Sequence, residues 1–293
     1  MPDIANTAPS RPPHVLAMSS TVAHGHVGLS AIVPVLQRLD IEVIAVPTIV
    51  LSNHPGHAFA HARRLDPADV TAMLTAMDQN GWLRDVDAIL VGYLPTAGHV
   101  RAAASAIDLI RSRRGSNPLT VLCDPVIGDD PKGLYIEEDA ARAIREILVP
   151  RADILTPNRF EASWLSGIDV TDPASAERAA RSISERTVVA TSTPVGPTRL
   201  ANVATDRTGT RLSVVERRTR VPNGTGDAFS ALFLAEIACH GRETSAALAN
   251  STGRIDAITT ASVGRSELAL IGNATAWAHA GPKTVTKLQD FSP

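Results

Sequence analysis

Cysteine is almost absent from this chain. Cys123 and Cys239 are the only two in 293 residues, and they form no C-x-x-C pair. That argues against a disulfide framework or a thiolate zinc site and makes a reducing compartment the expectation. Aromatic residues are equally scarce at 3%, so Ala, Val, Leu and Ile must fill the core, as in a buried parallel sheet covered by Ala-rich helices. No apolar run approaches the ~20 residues that cross a bilayer. Met1 to Pro13 is polar and proline-rich, without the apolar centre of a secretory signal. It reads as a loose tail, and the cytoplasm as the location. Neither charge sign dominates: a formal net charge of −2 offers no footprint for nucleic acid or an acidic membrane. Any anionic ligand must therefore be held by a local site. Three signatures are missing as well. The chain has no G-x-x-x-x-G-K, no G-x-G-x-x-G and no H-E-x-x-H, which sets aside P-loop, Rossmann dinucleotide and zinc-protease chemistry.

What is present is an ordinary globular balance, 44% apolar and 20% charged, with short apolar runs alternating with amphipathic stretches. Strands are expected at Val15–Met18, Ile41–Val46, Ala88–Val91, 119–123, 154–155 and 188–190. Helices are expected at Val27–Leu39, 98–112 and Ala228–Cys239. Asp66 reads as an N-cap with Pro67 at the first helical position and Gly81 past the end, and Asp172-Pro173 opens another helix. Repeated βαβ order predicts a parallel sheet with right-handed crossovers. Residues 198–204 and 211–219 look like an antiparallel hairpin turning at Asp206-Arg-Thr-Gly. No linker or repeat divides residues 14–293, which read as one domain. Ligands of such sheets bind at the carboxyl ends of the strands, so the loops there carry the functional question.

Val221-Pro-Asn-Gly-Thr-Gly-Asp227 opens an apolar helix. Gly224 and Gly226 let the backbone fold tightly, and the N–H groups of Gly224, Thr225 and Gly226 would point from a helix N-terminus, an anion site by geometry and dipole. Asp227 beside it can take a proton from an alcohol next to a transferring phosphoryl group; it equally fits an acid favoured by the dipole in a first turn. Asp124, after the strand 119–123 and followed by Pro125, is a carboxylate suited to Mg²⁺ or a turn former. In Thr156-Pro-Asn-Arg-Phe-Glu161, Asn158 and Glu161 stand one helical turn apart. Because Thr156 and Glu161 miss the capping-box spacing, the pair reads as oxygen donors for hydrated Mg²⁺. Ser19-Ser20 and the segment Pro47 to His54, with Thr48, follow the first two strands. Their hydroxyls could meet a small polar ring or simply serve the loops.

In order, Asp-Pro-Val, Thr-Pro-Asn-x-x-Glu, Thr191-Ser192 and Gly-Thr-Gly-Asp resemble the ribokinase superfamily over most of the chain. Ser20-Thr-Val-Ala-His-Gly-His-Val-Gly28, Val46 to His54, Gly92-Tyr93 and Lys132-Gly-Leu-Tyr135 are similar to segments of the pyridoxal kinase family within it. The resemblance implies a three-layer α/β/α sandwich with a mostly parallel sheet, a homodimer, and phosphorylation of the 5′-hydroxymethyl of vitamin B6 by Mg·ATP. It implies Ser20, Thr48 and Tyr93 around the pyridine ring, and Asp124, Asn158 and Glu161 around Mg²⁺ and phosphates, with Asp124 and Glu161 on the metal. Thr191 and Ser192 would touch ATP, Tyr135 would sit on a flap over the nucleotide, Gly224, Thr225 and Gly226 would form the anion hole, and Asp227 would be the base. Departures stand at Thr21, Leu29 and Val50, which the resemblance assigns to the vitamin side. A hydroxymethylpyrimidine kinase of the same fold and a silent vitamin-binding homologue are the alternatives.

Overall fold

The computed structural model describes residues 11–115 and 117–292. Among the described residues, twelve strands are interspersed with nine α-helices. The strands are β1 (His14–Val22), β2 (Glu42–Leu51), β3 (Ala62–Arg64), β4 (Ala88–Val91), β5 (Thr120–Cys123), β6 (Gly128–Asp129), β7 (Gly133–Leu134), β8 (Ile154–Leu155), β9 (Thr187–Val195), β10 (Arg199–Asp206), β11 (Gly209–Glu216) and β12 (Thr286–Lys287). The helices are α1 (Leu29–Gln37), α2 (Pro67–Gln79), α3 (Ala97–Arg114), α4 (Glu138–Ala143), α5 (Arg159–Ser166), α6 (Pro173–Ile183), α7 (Thr225–Leu234), α8 (Thr244–Ser262) and α9 (Ala274–Ala278).

Ten strands form one sheet in the order β12-β11-β10-β9-β8-β5-β4-β1-β2-β3. Its centre, β2-β1-β4-β5-β8-β9, is parallel, and both ends are antiparallel. Period-two alternation builds the layers. Leu16, Met18, Ile89, Val91, Val121 and Cys123 face α2, α3 and α4 on one side. Val15, Ala17, Ala88, Leu90 and Leu122 face α1, α7 and α8 on the other. The α/β/α sandwich implied by the family resemblance is thus the observed architecture.

Local signals account for most element ends. The Asp66 side chain accepts from Ala68 N, Pro67 is the first residue of α2, and Gly81 adopts a left-handed conformation after it. The hairpin turns at 206–209, joining β10 and β11. The predicted helix 27–39 is shorter, at Leu29–Gln37. β9 runs to Val195 because its antiparallel pairing with β10 on one edge continues well beyond the two residues paired with β8 on the other. Of the predicted tail, residues 1–10 lie outside the described residues. Arg11 pairs with Asp87 at 2.8 Å and the Pro13 carbonyl accepts from Glu42 N at 2.9 Å, so the tail's last residues are tied to the sheet.

Candidate active site

A cavity of about 620 Å³ opens where the carboxyl ends of the parallel strands meet α7. Ser20, Tyr93, Asp124, Tyr135, Asn158, Glu161, Thr191, Ser192 and the run Gly224 to Asp227 all line it. Of the residues singled out in the sequence, Thr48 alone does not.

The N-terminus of α7 shapes one wall. Gly224 caps the helix at φ 98°, and a Cβ there would stand 1.9 Å from the His26 carbonyl oxygen. Only glycine tolerates both. The first intrahelical bond runs from Ala228 N to Gly224 O at 3.0 Å, and no side chain caps the helix. The N–H groups of Thr225, Gly226 and Asp227 therefore precede the ladder, where an anion is favoured. The N–H of Gly224, the cap residue, likewise has no intrahelical partner, so the three donors named from the sequence stand at this helix end together with Asp227 N. Asp227 is partly exposed, onto the cavity it lines. Desolvation pushes its carboxyl up to about 6, against the pull of the Gly28 and Asp227 N–H groups.

Behind it lies a buried acid. Asp124 Oδ2 accepts from Ser230 Oγ at 2.9 Å, and Ser230 is within 2.8 Å of Thr156 Oγ1. Ser230 stands three residues after Asp227, on the same face of α7, a spacing that could have signalled it. Burial, then the charges of Glu161 and Asp227, push the Asp124 carboxyl well above the usual carboxylate range. Two backbone outliers border this region: Val126 at φ 44° and Ser192 at φ 55°. Neither is glycine, so both are held against a local preference, as residues at binding sites often are.

Asn158 and Glu161 form a reciprocal capping box on α5. The sequence reading set capping aside by testing Thr156 against Glu161; the cap is Asn158, two residues later. Asn158 Oδ1 accepts from Glu161 N at 3.0 Å, and its amide donates to Gly128 O at 2.8 Å. Glu161 Oε2 accepts from Asn158 N at 2.9 Å, while Oε1 takes Ile127 N at 2.9 Å and Gly128 N at 3.4 Å. Both side chains are spent on holding the β6–β7 hairpin, which carries the cavity-lining Asp129, Lys132 and Tyr135. Burial first, then Asp129, pushes the Tyr135 phenol up to about 12, so it stays neutral. Glu161→Gln turns one acceptor into a donor that faces N–H groups. It is expected to cost about 1–3 kcal/mol of local order and to raise the KM for ATP about tenfold; steady-state kinetics measure this.

The opposite end of the cavity is apolar. Val22, Ile49 and Leu51 cluster with Val27 and Tyr93, and all five line it. Ser20 joins them, packed so closely on Gly28 that a Cβ there would stand 2.3 Å from Ser20 Oγ. Thr48 lies behind this wall, fully buried, donating its hydroxyl to Tyr93 O at 2.8 Å. It supports the Tyr93 segment. Thr48→Val is expected to cost about 1–2 kcal/mol of stability through the lost bond, read by urea unfolding. The departures at Thr21 and Val50 also fall outside the cavity, because strand alternation sends Ser20, Val22, Ile49 and Leu51 inward and their neighbours away. Leu29 is core, in the α1 layer. The three substitutions attributed to the vitamin side do not touch this cavity.

Residues 25–266 match the family model described as phosphomethylpyrimidine kinase. The pyridoxal kinase of Rubrobacter xylanophilus is 37% identical over 232 residues, spanning 76% of this chain and 79% of that protein. The pyridoxal kinase of Corynebacterium diphtheriae is 34% identical over 275 residues, spanning 91% and 96%. Among solved structures, the pyridoxal kinase from Leishmania donovani in complex with ADP and pyridoxine superimposes with a TM-score of 0.87 at 33% identity, over 94% of this chain and 99% of that one. With relatives this similar along most of its length, the chain belongs to the pyridoxal kinase family of the ribokinase superfamily.

Proposed function

We propose that this chain phosphorylates the 5′-hydroxymethyl group of pyridoxal with ATP, giving pyridoxal 5′-phosphate and ADP. One observation supports the reading: the same cavity is lined by an apolar cluster, by the N-terminus of α7 with its N–H groups ahead of the ladder, and by Asp227. The ring of the vitamer packs on Val22, Ile49 and Leu51, with Ser20 and Tyr93 beside it. Asp227 takes the proton of the alcohol as the new oxygen–phosphorus bond forms. The bond from the γ-phosphorus to its bridging oxygen breaks, and ADP leaves with that electron pair. The N–H groups of Thr225 and Gly226 receive the charge on the transferring group, where preorganised donors act most strongly. Thr191, Ser192, Asn158 and Tyr135 border the nucleotide end.

Mg²⁺ belongs to this reading as the companion of ATP. Asp124 gives one oxygen to Ser230, and its other oxygen has no protein donor among the described residues. A carboxylate oxygen suits Mg²⁺. Glu161, with both oxygens on N–H groups, would act only through ordered water. No three His, Cys, Asp or Glu side chains converge on a metal site among the described residues, so phosphate and water oxygens would complete the shell. The bound ion would neutralise phosphate charge beside Asp124 and Asp227. The homodimer rests on the family resemblance, and sedimentation tests it. No helix among the described residues is long and apolar enough to cross a membrane; the cytoplasm remains part of the proposal.

The hydroxymethylpyrimidine alternative is supported by the description of the matching family model. A silent homologue would have no need for a base beside an anion site. A coupled ADP-release assay with pyridoxal, pyridoxine, pyridoxamine and hydroxymethylpyrimidine separates the three. Pyridoxal is expected to give the highest kcat/KM; faster turnover of the pyrimidine, or of none, would overturn the assignment.

A further inference from the structure

Glu267 lies in the loop between α8 and α9, lining a separate surface hollow and not the active cavity. Its carboxylate nevertheless touches two of the cavity's loops. Oε2 accepts from His26 N at 3.2 Å, and the carboxylate fills the space a side chain at Gly25 would need, 2.2 Å from the position of its Cβ. Oε1 meets His57 Nε2 at 3.2 Å. His26 belongs to the β1–α1 loop, which begins just after the cavity-lining Val22. His57 belongs to the β2–β3 flap, which supplies His54, Pro55 and Gly56 to the cavity.

Both loops also bear on the anion site. The His26 carbonyl occupies the place where Gly224 lacks a Cβ, and Leu268 closes the same spot at 3.2 Å. On the flap, His54 Nδ1 lies 3.1 Å from the Asn223 amide, one residue before Gly224. The base of Glu267 is fixed: Ala269 N donates to the buried Ser262 Oγ at 2.9 Å, and Trp277 Nε1 donates to Leu270 O at 2.8 Å. A carboxylate on a rigid mount, outside the cavity, thus joins the far parts of two loops whose first residues are already paired, Ala23 N to Leu51 O at 2.8 Å and His24 N to Ser52 O at 2.9 Å.

We propose that Glu267 is a positioning residue for phosphoryl transfer, holding the β1–α1 loop and the β2–β3 flap together over the N-terminus of α7. The proposal rests on the pyridoxal kinase reading only for the choice of substrate. The loops it joins border the ring end, so its loss acts on the vitamer more than on ATP.

The test compares Glu267→Ala, Glu267→Gln and His57→Ala in the full chain, by steady-state kinetics and by hydrogen exchange of residues 23–28 and 54–61. Glu267→Ala is expected to raise the KM for pyridoxal about tenfold and to leave that for ATP within about twofold. Glu267→Gln recovers most of the loss, since its amide oxygen still accepts from His26 N and its side chain still fills the space beside Gly25. His57→Ala, on the exposed flap, gives a smaller rise of about threefold and speeds exchange over 54–61 alone. An unchanged KM for pyridoxal in Glu267→Ala, or equal rises for both substrates, would overturn the proposal. Should Glu267→Ala fail to fold, His57→Ala decides: unchanged kinetics and exchange sink it. Should the wild-type chain not phosphorylate pyridoxal, the substrate assignment falls separately. Exchange then judges Glu267 by itself, and unaltered protection of both segments in Glu267→Ala refutes its role.

Discussion

Asp227→Asn is expected to reduce turnover by about 10²–10⁴-fold, the usual worth of a positioned general base, with the affinity for ATP little changed. Asparagine fits the same space and keeps the start of α7 intact, so the loss reports the missing proton acceptor. The wild-type pH profile carries the same information. Desolvation raises the Asp227 carboxyl to about 6, and only the carboxylate can take the proton. The kcat/KM of the free enzyme should therefore be on its plateau above that value and fall as the pH drops through it. Asp227→Asn should abolish this acidic limb. A mutant with near-normal turnover, or one that keeps the limb, would remove Asp227 from the role of base.

Gly224→Ala comes next in expected effect. The added Cβ would meet the His26 carbonyl at 1.9 Å, in a backbone conformation with φ 98° that alanine resists. Either the β1–α1 loop retreats or the first turn of α7 rotates, and both misdirect the N–H groups of Thr225 and Gly226. Losing one such donor typically costs about 10²–10³-fold in turnover, and a fall of that size is expected together with a lower melting temperature. Gly226→Ala supplies the contrast. Its Cβ would stand 3.9 Å from Asp124 Oδ2, an ordinary contact, so the fold should be spared while the approach of phosphate is crowded. Thermal melts of both variants, alongside kcat, test the distinction. Equal melting temperatures for Gly224→Ala and wild type would contradict the account.

Much of this arrangement was legible in the sequence because strand ends, glycine-rich turns and helix caps are local signals. Asp66, Pro67 and Gly81 mark α2 by their own chemistry. Gly-Thr-Gly-Asp marks a tight helix start, the kind of N-terminus that favours an anion. The misreadings fall where the outcome depends on a neighbour. Thr48 and Ser20 both read as following strands and in fact lie within β2 and β1, but only the pleat and the Tyr93 carbonyl decide that one is hidden and the other lines the cavity. Val50 alternates with Ile49 and Leu51, so period two alone could have turned it away from the cavity. Glu161 reads from the sequence as an oxygen donor for hydrated Mg²⁺; that it also holds Ile127 and Gly128 could not be read there, because those partners are backbone groups that no side-chain pattern advertises. β3, β6, β7 and β12 are two or three residues long, too short for any periodicity. Glu267 carried no signal at all; its contacts span more than two hundred residues of chain.

The position of β1 has a consequence for how the protein comes into being. It comes first in chain order among the described strands, yet it lies inside the sheet between β2 and β4, and the loop that follows it rests on Gly224 and Glu267. A chain still emerging from the ribosome can pair β1, β2, β4 and β5 while its β1–α1 loop has nothing to sit on. The apolar end of the cavity acquires a wall early; the proposed base and the proposed anion-site N–H groups arrive only with α7, and Glu267 later still. A form that stops short of α7 lacks the proposed base and the proposed anion site together, and no phosphoryl transfer is expected of it.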